Sequence, residues 1–416
     1  HQLYRYNMEF VPNCKPYLKF ALNYFTKFKL DLSDSQKSKQ AKYMERLFNN
    51  LKNGEKYVKK FMQNPNSVFI DIIPIENITQ ITKTSLHNSH YFPKEIQNDI
   101  YKNVQYKIRY DFSYFNIDYI IEFYTYETTI NRALYNNYFT KILIWLYVVN
   151  QHISRKCSDS MNIVIFLSPF KKKLPENNLL VLNTINANTA LTYPCARSGQ
   201  ILIYRQQEWF KVFIHETFHS FNLDFSTMAV NDFNNNIKKI FPIKSAFNIT
   251  ESYTEFWASV MNCVFASYFS LNKSRKFETF MLYIEFTLQI ERIFSLYQCN
   301  KVLKYMGLTY LNLYNKNDEG VAARHLYKEK TNIFAYYVIK TILMYDYIDF
   351  IEWCSNNNSD FFQFANTQHN LHKLYKYIKA KHNAPDFLKD IEYMSTIEPS
   401  KSSVLKTMRL TAIEFI

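Results

Sequence analysis

His215-Glu216-Thr217-Phe218-His219 constrains this chain more than any other five residues in it. Two histidines at i and i+4 stand about 40° apart around a 3.6-residue helix, so one helical turn lets both imidazoles converge on a single metal ion. The glutamate between them lies just off that face. There its carboxylate can take a proton from a water whose pKa a zinc ion lowers to roughly 7. The competing reading is a helix with two half-buried histidines and a surface glutamate. With ten histidines in 416 residues, the pattern is rare by chance.

A catalytic zinc takes three protein ligands and keeps one position open, so the pair needs a partner. The pattern HExxHxxGxxH would supply a third histidine, but Asn222 and Phe225 stand at the two further positions and close that option. The better candidate is Glu251, in Asn248-Ile249-Thr250-Glu251-Ser252-Tyr253-Thr254-Glu255. Glu251 and Glu255 are one helical turn apart on one face, as a ligand and the group that orients a histidine ring need to be. Asn248 with Glu251 three residues on is also a capping box, which explains the glutamate without any metal.

The hydrophobic pattern around these residues predicts an α+β chain of three parts. Residues 1–128 read as an α+β N-terminal domain of unassigned role, with helices between 14 and 64 and period-two stretches at 68–75 and 106–126. Residues 129–225 hold an all-round apolar helix at 131–153, strands at 162–167, 179–182, 184–192 and 200–205, and the metal helix from 206 to about 221. Such an order predicts a small twisted sheet covering the motif helix. Residues 226–416 read as a mainly helical lobe supplying the third ligand, with helices at 248–265, 275–297, 332–344 and 371–380. The Asn-rich pieces 231–236 and 356–359 read as loops.

Composition narrows the alternatives. Four glycines leave no GxGxxG, GxxxxGK[ST] or GxSxG. The net charge of +14 favours acidic partners, nucleic acid among them, yet no zinc-finger spacing or RNP-like string sharpens it, and a merely Lys-rich surface explains it equally. Six scattered cysteines without CxxC predict free thiols in a reducing compartment. No apolar run is long enough to span a membrane and no signal peptide is visible in the residues shown, so an intracellular location is expected.

HExxH followed by a glutamate on a later helix resembles the glutamate-type zinc metallopeptidases, the gluzincins, of which thermolysin is the familiar member. The resemblance covers roughly residues 130–260, with ExxxE here where ExxxD is common. It implies a zincin-like catalytic domain, Zn²⁺ held by His215, His219 and Glu251, Glu216 as general base, Glu255 behind the ligands, and a protein or peptide substrate. In that family an edge strand before the motif helix binds the substrate backbone, often through an Asn-Ala pair. Asn186-Ala187 sits at a similar distance upstream, though an ordinary strand would look the same. The family also places a His or Tyr from the later lobe at the oxyanion. His325 is the candidate here, with Tyr327, Tyr336 and Tyr337 as others, and a surface histidine is the bland alternative. The gap between His219 and Glu251 is longer than in thermolysin-like enzymes, which puts an insertion, 226–249, beside the metal. The stretch Arg205 to Ile214 is similar to zincin-like proteins encoded by large DNA viruses, which implies packaging in a virion, with capsid or other virion proteins as partners. The second function class is therefore a structural or virion-associated binding protein without proteolytic activity.

Overall fold

A computed structural model describes residue 8 and residues 10–153, 157–272 and 275–416. The chain is α+β and divides into two compact units, 1–45 with 172–187 and 228–415, and 46–171 with 188–227.

The second of these units is built on a six-stranded mixed sheet, in the order β1 (Phe69–Pro74), β2 (Tyr106–Tyr114), β3 (Ile117–Thr125), β4 (Ser160–Phe166), β6 (Ser198–Ile203), β5 (Ala190–Thr192). β1, β2 and β3 run antiparallel, β3, β4 and β6 run parallel, and β5 returns antiparallel at the edge. The parallel core strand β4 reads Ile163-Val164-Ile165-Phe166 without alternation because both its faces are buried. Since β3 pairs with β4 from Asp118↔Ser160 to Tyr124↔Phe166, the division expected at residue 128 runs through a single sheet. Local patterning marks strands but not which strands pair, so the change from strand to helix pattern near 128 reads as a boundary where none exists in the sheet.

Helices α1 (Lys15–Asn23), α2 (Asp34–Phe61), α3 (Arg132–Asn150) and α4 (Trp209–Ser220) lie close to their expected positions. α3 buries Ile142 through Leu146 on every side, as its composition requires. α4 starts three residues later than expected because Gln206–Glu208 form a bend and turn before it, with Glu208 at a left-handed φ of 62°.

The helical unit carries α5 (Asn231–Ile240), α6 (Thr250–Phe269) and α7 (Phe277–Tyr305), followed by a π-helical segment, Phe334–Ile339, and further short helices. α6 is buried around almost its whole circumference and so forms the centre of this unit. The Asn-rich stretch expected to be a loop is the start of α5. Its Phe233, Ile237 and Ile240 recur at helical spacing and are buried, and that periodic burial outweighs the weak helix propensity of asparagine.

One expected strand is absent and another is shortened. Leu179 and Leu180 are exposed, and 179–182 contributes only an isolated bridge, Leu182↔Glu329. In 184–192 only Ala190–Thr192 is strand, because Asn183 and Asn186 fold the preceding residues into a helical turn, Thr184–Ala187. Asn183 Oδ1 accepts the N–H of Ile185, and Asn186 Oδ1 accepts that of Asn183, each at 3.0 Å.

Cys157 and Cys195 form a disulfide, which corrects the expectation of free thiols for these two; Cys14, Cys263, Cys299 and Cys354 are free and buried. The pairing follows from the sheet. β4 and β6 pair in parallel from Ser160↔Ser198, the Asp159 N–H donates to Arg197 O, and the residues just ahead of both strands are thereby brought side by side. Among the described residues, no helix is long and apolar enough to cross a membrane.

Candidate metal centre

α4 packs against β5 and β6, with its motif residues buried. Its rotation is set from inside the sheet unit. The indole N–H of Trp145 on α3 donates to Thr217 Oγ1 at 2.7 Å, and Thr217 Oγ1 donates to Ile214 O at 2.6 Å. Thr217, the middle residue of the motif, therefore anchors the helix on one side while His215 and His219 face the other.

The two imidazoles point at one place. Their Nε2 atoms are 3.2 Å apart. Two nitrogens each 2.0–2.1 Å from a tetrahedral zinc stand about 3.3–3.4 Å apart, so the spacing matches that of a shared ion. His219 is further oriented by Asp224, which is fully buried and takes the Nδ1 of His219 through Oδ2, leaving Nε2 with its lone pair outward. The other oxygen of Asp224 accepts the N–H and hydroxyl of Ser226 at 2.9 and 2.6 Å.

Asp224 was not foreseen from the sequence, and the reason is a chain reversal. Asn222, at φ 54°, occupies the left-handed position that ends α4. The N–H of Leu223 donates to Phe218 O and that of Asn222 to His219 O, the bonding pair of a Schellman motif. The turn sends the backbone back along the helix, so a residue five places after His219 arrives beside its ring. An asparagine three residues past the motif, with an aspartate two further on, was the only available signal.

Glu251 sits in the first turn of α6. The capping-box alternative does not hold: Asn248 Oδ1 accepts the N–H of Thr250 at 3.2 Å, and Glu251 Oε2 accepts the Tyr336 hydroxyl at 2.9 Å. One ligand atom from each of His215, His219 and Glu251 lies within 4.8 Å of the others, the only such group of three or more metal-ligating side chains among the described residues. Two imidazole nitrogens and a carboxylate oxygen are a donor set suited to zinc. Glu216 is buried within the same helical turn. Glu255 is buried one turn along α6 from Glu251.

The remaining sequence candidates lie as follows. His325 is exposed, its Nδ1 3.2 Å from the Lys244 ammonium. The Tyr337 hydroxyl donates to Met408 O at 2.6 Å, and Tyr327 is buried beside Glu329. Tyr336 is bonded to a candidate ligand, through its hydroxyl to Glu251. Asn186 and Ala187 lie in the helical turn before β5, where the Asn186 amide also donates to Lys173 O at 3.0 Å.

The orienting role of Asp224 has a measurable consequence. Asp224→Ala frees the His219 ring to rotate and change tautomer, and is expected to weaken zinc binding by roughly 10–100-fold, read by competition with a chromogenic chelator. Affinity within two-fold of the parent chain would refute the role.

No family model, no curated protein and no solved structure matches this chain.

Proposed function

We propose that this chain is a zinc-dependent peptidase of the gluzincin type, hydrolysing peptide bonds in a protein or peptide substrate. The convergence of His215, His219 and Glu251 carries the reading, because a set of two imidazoles and one carboxylate leaves a fourth position of a tetrahedral ion for water or substrate. Zinc, when bound there, supplies Lewis acidity, polarising a carbonyl and lowering the pKa of water.

The chain's own residues do the rest. Glu216, one residue after His215 on the same turn, accepts the proton of the attacking water and returns it to the leaving amine. A structural site has no use for such a base. Asp224 holds His219 in the tautomer that ligates through Nε2, and Glu255 is the second carboxylate assigned to orienting a histidine ring. β5 is the last strand of the sheet, so one row of its backbone groups is unpaired within the sheet, and the strand packs against α4. An extended substrate would pair along Ala190–Thr192, three residues beyond the Asn-Ala pair.

Metal analysis with a broad peptide library tests the proposal. We expect about one zinc per chain and cleavage that a chelator stops and added zinc restores. A metal-free protein, or one that binds zinc and cleaves nothing, would favour the structural or virion-associated binding role instead.

A further inference from the structure

Glu329 is a carboxyl that the proposed reaction does not use, and its place in the helical unit is specific. Its backbone is tied to the segment before the Asn183–Asn186 turn, through the bridge Leu182↔Glu329 and the Lys330 N–H donating to Leu182 O at 2.9 Å. The residue is half-buried as a whole, while its Oε1 is fully buried. Oε2 accepts the N–H of Phe334 at 2.8 Å. Phe334 opens the π-helical segment Phe334–Ile339, and two residues further on Tyr336 donates its hydroxyl to Glu251 Oε2 at 2.9 Å.

We infer that Glu329 is a positioning residue for the metal centre: by capping the first turn of the π-helical segment it fixes where Tyr336 presents its hydroxyl, and Tyr336 in turn restrains the carboxylate of Glu251. The inference rests on the reading of Glu251 as a metal ligand. The physical step is the start of the winding. The first N–H groups of a helix have no partner within it, and an acceptor at Phe334 satisfies one of them. Two residues on, the Tyr336 N–H donates to Asn332 O at 3.0 Å, so the turn that Glu329 caps is the one that carries Tyr336. Without the acceptor that turn can fray, which moves the Tyr336 side chain. Glu251 would then lose the contact that engages one of its oxygens, and a metal that holds it would have to restrain it further, at an entropic cost.

The full-length chain, zinc alone as ligand and chelator competition as readout decide the matter. Glu329→Ala removes the acceptor, and Glu329→Asp keeps the carboxyl but falls one methylene short of Phe334. Both are expected to bind zinc about 10-fold more weakly, as is Tyr336→Phe. Glu329→Gln retains an acceptor oxygen of the same reach and is expected to match the parent chain. Because Glu329 acts through Tyr336, the Glu329→Ala/Tyr336→Phe double variant should be no weaker than Tyr336→Phe alone. If Glu329→Ala does not fold, Glu329→Asp against Glu329→Gln carries the same comparison. Parent-like affinity in both Glu329→Ala and Glu329→Asp, or losses that multiply in the double variant, would overturn the inference and leave the zinc site standing. A parent chain that binds no zinc would instead remove the metal reading itself, and this inference with it.

Discussion

Glu216→Gln is expected to lower kcat for peptide hydrolysis by roughly 10²–10⁴-fold while zinc stays bound at the parent stoichiometry. The amide is nearly isosteric with the carboxylate, so the turn that carries His215 and His219 is preserved, and Trp145 still anchors it through Thr217. What disappears is the ability to accept a proton. His215→Ala, by contrast, removes a ligand and should lose metal and activity together. The split between these two variants separates a general base from a residue that merely supports the site. If Glu216→Gln cleaves within ten-fold of the parent chain, the hydrolytic mechanism fails even where the zinc site is real.

The second large effect is on stability, and it arises from Glu329. Burial pushes its carboxyl up to about 8 from an ordinary value near 4.5, with the N–H groups of Phe334 and Ile333 and the Tyr327 hydroxyl opposing that rise, and no charged side chain contributes. Between those two values the folded chain keeps a proton that the unfolded chain releases. The stabilisation linked to that proton is complete below about pH 4.5 and is lost as pH rises through about 8, at about 1.4 kcal/mol per pH unit, or on the order of 5 kcal/mol in all. Glu329→Gln cannot ionise. Its unfolding free energy, measured with urea, should match the parent near pH 5 and exceed it by several kcal/mol near pH 9. Other titrating groups are common to both proteins and cancel in the difference. Parallel stability curves across that range would mean that Glu329 is not held protonated.

These predictions depend to different degrees on information that was legible in the chain. His215, Glu216 and His219 could be read directly, since helical geometry alone relates residues within one turn. Glu251 was found because it heads an apolar helical run and carries a carboxylate of the right kind. Tyr336 could be named only as one of several aromatic candidates among 34 tyrosines. Asp224 and Trp145 were invisible as site residues. One needs the left-handed turn at Asn222, and the other reaches Thr217 across 72 residues. Asn-rich stretches misled in two ways. The asparagines of 231–236 are surface positions of a helix whose register is set by buried Phe233, Ile237 and Ile240, whereas Asn183 and Asn186 use their side chains to break a strand into a turn.

By itself, the amino-acid order determined the α+β class, the place of most helices and strands, and the presence of two imidazoles on one helical turn. Each of these follows from periodicity and side-chain type over a dozen residues or fewer. The tertiary structure alone decided that residues on both sides of 128 share one sheet, that Cys157 meets Cys195, that Asp224 orients His219, and that Glu251 is held by Tyr336 instead of capping its own helix. Those are contacts between segments remote in the chain, selected by which faces can be buried together. The energy that selects them is shared among many packed side chains, so no short stretch of sequence carries it.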